Sequence, residues 1–137
     1  MADEIDALRR VPLFSGMSDR DLQNVIEITK EVTHPEGHVI VEEDQSAIGF
    51  HLILEGSAEA SVAGQSVGTI GPGDYFGEMS LLDGKPRSAT VQATSDMKTL
   101  VVPSWSFNQL LDANPAIMRT LLVELCARLR RVEALRG

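Results

Sequence analysis

A mainly β fold, a barrel or jelly roll flanked by helices at both ends, is what this sequence predicts, on three observations. Residues 31–102 break into short, β-branched, alternating stretches separated by glycine-bearing turns, the pattern of an all-β barrel or jelly roll. Helical periodicity brackets that region, before residue 31 and again after Pro103. With 137 residues, 43% hydrophobic and 23% charged, the chain is long enough for one real core and too short for two ordinary domains. The expected organisation is one domain over 1–137, with an N-terminal helical part at 1–30, the β region at 31–102 and C-terminal helices at 103–137.

Each element has a local reason. Glu4 to Leu13 reads as a short helix stopped by Pro12, and Phe14-Ser15-Gly16-Met17 as a turn. Ser18 or Asp19 supplies an N-cap for a second helix, in which Leu22, Val25 and Ile26 share one face. Strands are expected at 39–41, 49–54, 58–62, 66–70, 89–93 and 97–102. Between them lie Pro35-Glu36-Gly37, Glu55-Gly56, Ala63-Gly64-Gln65 and Gly71-Pro72-Gly73-Asp74, all with residues that turns demand. Ser104 to Leu111 reads as a helix, and Asn114-Pro115 as the N-cap and first position of the last one. Along that helix Met118, Leu122, Leu125, Leu129 and Val132 form a narrow apolar seam, which packing on the chain's own barrel explains better than dimerisation, because only about two heptads are present.

Charge narrows the function. Residues 1–114 carry 18 acids against 7 Lys/Arg, net −11, and residues 115–137 carry 5 Arg against 2 Glu, net +3, which together give −8. An acidic body repels phosphate backbones, so nucleic-acid binding is not expected. No apolar run reaches the roughly 20 residues of a membrane helix, and the N-terminus has no signal-peptide layout, so a cytoplasmic protein is expected. The single Cys126 leaves no internal disulfide, and among leucines it reads as a small buried hydrophobe. His34, His38 and His51 contain no His-x-His pair and no acid at the spacing of metal-dependent β-barrel enzymes, so no metal site and no catalysis are expected.

One segment carries chemistry, from Gly73 to Val91. A glycine-rich turn leads into a helix of one or two turns, Glu78 to Leu82, ended by Asp83-Gly84. The first-turn amides of Glu78, Met79 and Ser80 lack intrahelical partners and would suit a phosphate, which Gly77 lets approach the backbone. Arg87 returns to the same spot with a planar fork for two phosphate oxygens. Glu78 only accepts hydrogen bonds when ionised, so its natural target is a hydroxyl on the same ligand, such as a ribose 2′-OH. Spacing alone leaves a second reading open, in which Glu78 merely favours the helix start and Arg87 pairs with Glu78 or Asp83 across the turn.

These residues resemble the cyclic-nucleotide-binding domains shared by catabolite activator proteins, protein kinase A regulatory subunits and cyclic-nucleotide-gated channels. The family's phosphate-binding cassette is matched without a gap by Phe76-Gly77-Glu78-Met79-Ser80-Leu81-Leu82 and Pro86-Arg87-Ser88-Ala89-Thr90-Val91. The resemblance implies a β-roll, a double-stranded, jelly-roll-like β-helix, with N-terminal helices and two C-terminal helices. It implies that Arg87 holds the cyclic phosphate, that Glu78 takes the ribose hydroxyl, and that Gly77, Met79, Ser80, Ser88 and Ala89 complete the cradle. Val67 and Ile70, with Ala60, would wall the purine; otherwise they are ordinary core. Ser88 after the arginine leans towards cAMP over cGMP.

The match has limits. Where catabolite activator proteins place adjacent hydroxyl residues over adenine, this chain has Arg130-Arg131-Val132-Glu133, and one of Arg128, Arg130 or Arg131 could instead stack on the purine. The expected activity is cyclic-nucleotide binding, without catalysis, signalled by movement of the last helix to an effector or a second copy. The alternatives are a ligand-free interaction module that keeps the fold, or a regulatory fragment of a larger channel, kinase or transferase.

Overall fold

Strand β3 (Gly49–Glu55) organises the molecule, because its alternating side chains are buried on both faces. A computed structural model describes residues 2–9, 11, 14, 16–42, 49–77 and 89–136, without the side chains of 2–4, 7, 135 and 136. On one face Phe50, Leu52 and the half-buried Leu54 join a cluster formed mostly by helical residues; on the other, Ile53 joins the apolar space between two sheets. A strand covered on both sides keeps only apolar or satisfied residues along its length.

The first sheet runs β1 (Lys30–His34), β8 (Met97–Pro103), β3, β6 (Tyr75–Phe76), and the second runs β2 (Val39–Val41), β7 (Thr90–Ala93), β4 (Ala58–Val62), β5 (Gln65–Ile70). All pairings are antiparallel. Val91, Ala93 and Ala58 of the second sheet meet Ile53, Phe76 and Met97 of the first in one cluster, the packing expected of two facing sheets. Two strands had no counterpart in the sequence reading. β1 is rich in charge and only His34 along it is buried, whereas β6 has only two residues, too few for alternation to show.

The helices pack on the outer face of the first sheet. Helix α1 (Ala2–Arg9) lies against α2 (Asp19–Ile28). Ser18 is the N-cap of α2, its hydroxyl accepting from the Asp21 amide at 3.2 Å, and Arg9 is ion-paired with Asp19. Leu22 and Val25 are buried as expected, while Ile26 is only half-buried. Helix α3 (Ser104–Ala113) contributes Phe107, Leu110 and Leu111 to the core, with the Phe107 ring 5.7 Å from Phe50.

Two expectations about the last helix, α4 (Pro115–Arg136), are corrected. Its buried residues are Ile117 and Leu121, at 1% and 2% exposure, and not the expected seam, of which Met118, Leu122, Leu129 and Val132 are 38–59% exposed and Leu125 is half-buried. Only the first turns of the helix reach the body, so the deeper face is the one at 117 and 121, and the seam does not cover the barrel. Cys126 is accordingly exposed, not buried among leucines. Asn114 opens α4 through its carbonyl, which accepts from the Ile117 amide at 2.9 Å, but its side chain turns back to donate to the Leu110 carbonyl of α3 at 3.0 Å. No helix among the described residues is long and apolar enough to cross a membrane.

Candidate functional site

The cassette bridges the two sheets. It leaves β6 at the edge of the first sheet and enters β7 in the interior of the second. Its approach is rigid. The Gly71-Pro72-Gly73-Asp74 turn is closed by the Asp74 amide donating to the Gly71 carbonyl at 3.0 Å and by the Gly71 amide donating to Asp74 Oδ2 at 2.9 Å. Ile53 of β3 exchanges two backbone bonds with Gly73 and Asp74, both at 2.9 Å, which pins the turn to the central strand. Phe76 is then held by the His51 ring, stacked on it at 4.8 Å and 6°.

Gly77 follows with φ of +96°, a left-handed conformation that L side chains rarely adopt. Its role in the sequence reading was close approach to an anion, and the backbone adds an independent reason for glycine here. Residues 78–88 lie outside the described residues, so the expected positions of Glu78, Met79, Ser80, Arg87 and Ser88 and of the short helix at 78–82 carry no structural account. Ala89, half-buried, marks the return of the chain before Thr90 starts β7.

Beside that return lies a smooth strip of small residues. Val91 of β7 stands opposite Ala60 of β4, and Ala60 stands opposite Gly68 of β5. Val67 next to Gly68 is 63% exposed, which removes the ordinary-core reading for that residue. Ile70 and Ala60 are half-buried against the inter-sheet cluster. Every residue of β5 before Ile70 is exposed, so the strand offers an open surface at the edge of its sheet.

On α4, burial pushes the Glu124 carboxyl up, with Arg128 opposing the shift. No group of three or more metal-ligating side chains exists among the described residues. His34 and His38, considered above only as metal ligands, are instead stacked on one another at the junction of the sheets.

Residues 31–114 match the family model for the cyclic nucleotide-binding domain. A cAMP-dependent protein kinase regulatory subunit of Emericella nidulans is 34% identical over 114 residues, covering 82% of this chain and 28% of that protein. The regulatory domain of Toxoplasma gondii PKA, solved with cAMP, aligns with a TM-score of 0.81 and 26% identity over 93% of this chain and 49% of that one. Thermus thermophilus catabolite activator protein aligns with a TM-score of 0.82 and 26% identity over 90% of this chain and 60% of that one. The β-roll expected from the sequence is thus present, and the family match spans both sheets. The chain belongs to the cyclic nucleotide-binding domain family.

Proposed function

We propose that this chain binds cAMP in preference to cGMP and reports occupancy through its C-terminal helix. The observation that carries the proposal is the complete cassette, with both Glu78 and Arg87 present, inserted at the crossover between the sheets. Arg87 would pair the cyclic phosphate, supported by the amides of Met79, Ser80 and Ala89 and by the close approach that Gly77 permits. Glu78 would accept from the ribose 2′-hydroxyl. Ile70 and Ala60, half-buried against the inter-sheet cluster, would wall the purine, with Val67, exposed beside Gly68, as a third wall residue. Ser88 favours cAMP, in line with relatives named for cAMP.

Binding, not turnover, is the proposed activity. Helix α4 is suited to output because its first turns are anchored by Ile117 and Leu121 while Met118, Leu122, Leu129 and Val132 are exposed for a second copy or an effector protein. The chain covers less than a third of the regulatory subunit it matches, and we place it as the sensing part of such an assembly.

Isothermal titration of the purified, nucleotide-stripped chain with cAMP, cGMP and 5′-AMP tests the proposal. Saturable heat with cAMP, weaker with cGMP and far weaker with 5′-AMP, is expected. Heat with none of them would leave the cassette a structural crossover and favour the interaction-module reading.

A further inference from the structure

The turn between β1 and β2 ties the two sheets together, since β1 belongs to the first and β2 to the second. It is fixed by four bonds to the end of β7 and the β7–β8 connection, another of the crossovers between the sheets. Gly37 donates to the Ala93 carbonyl at 2.8 Å, Ala93 donates to the His38 carbonyl at 2.8 Å, Gln92 Nε2 donates to the Gly37 carbonyl at 2.9 Å, and the Glu36 amide donates to Asp96 Oδ1 at 3.0 Å. At its two ends stand His34 and His38, with ring centroids 5.3 Å apart and planes 14° from parallel. His34 is 7% exposed and shares a hydrogen bond of 3.2 Å between Nε2 and Oγ1 of Thr99, itself fully buried.

The groups facing the pair offer a positive charge little compensation. Glu36 lies in the turn itself, and Asp96 on the β7–β8 connection accepts the Glu36 amide. Lys98 points to the face of β8 opposite Thr99 and lies 3.8 Å from Glu31 and 3.7 Å from Glu55. Val39 of β2 and Met97 and Ala93 of the neighbouring strands are apolar. Among the described residues no carboxylate is bonded to either ring.

We infer that the stacked His34–His38 pair is an acid-sensitive latch: protonating it frees the turn that joins the sheets and loosens β7, the strand into which the cassette runs. Two imidazolium rings face to face repel, and a buried one loses its hydration without gaining an anion. Burial, followed by the charge of His38, pushes the His34 imidazole below its ordinary value. A group so shifted binds its proton more tightly when the chain is unfolded. Its stabilisation is therefore complete above the ordinary histidine range and is lost as pH falls through and below it. The latch stands without the nucleotide reading, and only its effect on affinity rests on that reading.

Hydrogen exchange on the whole chain tests it, with wild type, His34→Gln and His38→Gln compared at about pH 7.5 and about pH 5 after correction for intrinsic rates. In wild type, protection at the Gly37 and Ala93 amides should drop about tenfold or more at the acid value, ahead of the β3 amides. His34→Gln keeps a polar partner for Thr99 and should abolish the drop. His38→Gln, at an exposed ring, should raise the pH at which His34 titrates by nuclear magnetic resonance, and it serves as the test if the first variant fails to fold. Protection lost equally in wild type and both variants, or a His34 that titrates at its ordinary value, would overturn the latch. If cAMP binds, its affinity should weaken in acid for wild type more than for His34→Gln; equal weakening would sever the latch from the site.

Discussion

A methyl group on Gly56 would lie 2.8 Å from Cα of Met97 and closer still to the carbonyl oxygen of Asp96. Gly56 also has φ of +87°, so a side chain is opposed both by its own backbone and by the strand beside it. Gly56→Ala is expected to lower unfolding stability by about 2–5 kcal/mol, combining left-handed strain with overpacking against backbone that cannot move aside. Urea denaturation measures this, and a loss under about 1 kcal/mol would show that the β3–β4 turn is softer than its contacts indicate.

The β4–β5 hairpin behaves in the opposite sense. Its two central residues, Ala63 at φ +53° and Gly64 at φ +80°, both occupy the left-handed region, the geometry of a type I′ turn. Alanine is a poor occupant of the first position and asparagine a good one. Ala63→Asn should raise stability by about 0.5–1 kcal/mol, visible as a higher thermal midpoint.

Leu22 and Leu122 separate core from surface. Leu22 is 0% exposed in the helical core, and Leu122 is 59% exposed on α4. Leu22→Ala should cost about 2–5 kcal/mol, whereas Leu122→Ala should stay within about 0.5 kcal/mol. If Leu122→Ala proves strongly destabilising only at high protein concentration, a second copy covers the seam in solution.

For the proposed ligand, Arg87→Ala should weaken cAMP binding by about 2–3 kcal/mol, or roughly 30- to 150-fold, by removing charge-assisted bonds to phosphate. Glu78→Ala should cost about 1–3 kcal/mol and abolish discrimination against 2′-deoxy-cAMP. Titration of both variants with both ligands is decisive: unchanged affinity in Arg87→Ala, or retained discrimination in Glu78→Ala, would remove the assigned role.

Hydrogen exchange across α4 with and without saturating cAMP examines the proposed output. Altered protection from Asn114 into the first turns, where Ile117 and Leu121 anchor the helix, is expected. An identical profile would leave binding in place and remove the helix as its reporter.

Much of this architecture is local and therefore readable along the chain. The alternation in β3, the glycine-bearing turns, the Ser18 cap and the restart of helix at Pro115 each depend on residues within a few positions of one another. The cassette motif is legible for the same reason, since its glycine, acid and arginine stand in fixed order along one short segment. What the tertiary structure alone decided involves partners distant in sequence. β6 is a strand only because β3 pairs with it, and β1 because β8 does. The periodicity of α4 offered a continuous seam, yet Ile117 and Leu121 are what the core covers, because burial depends on where the helix meets the body and not on how regular its apolar stripe is. His34 meets Thr99 across 65 positions of sequence, a contact that exists only once two strands have found their register.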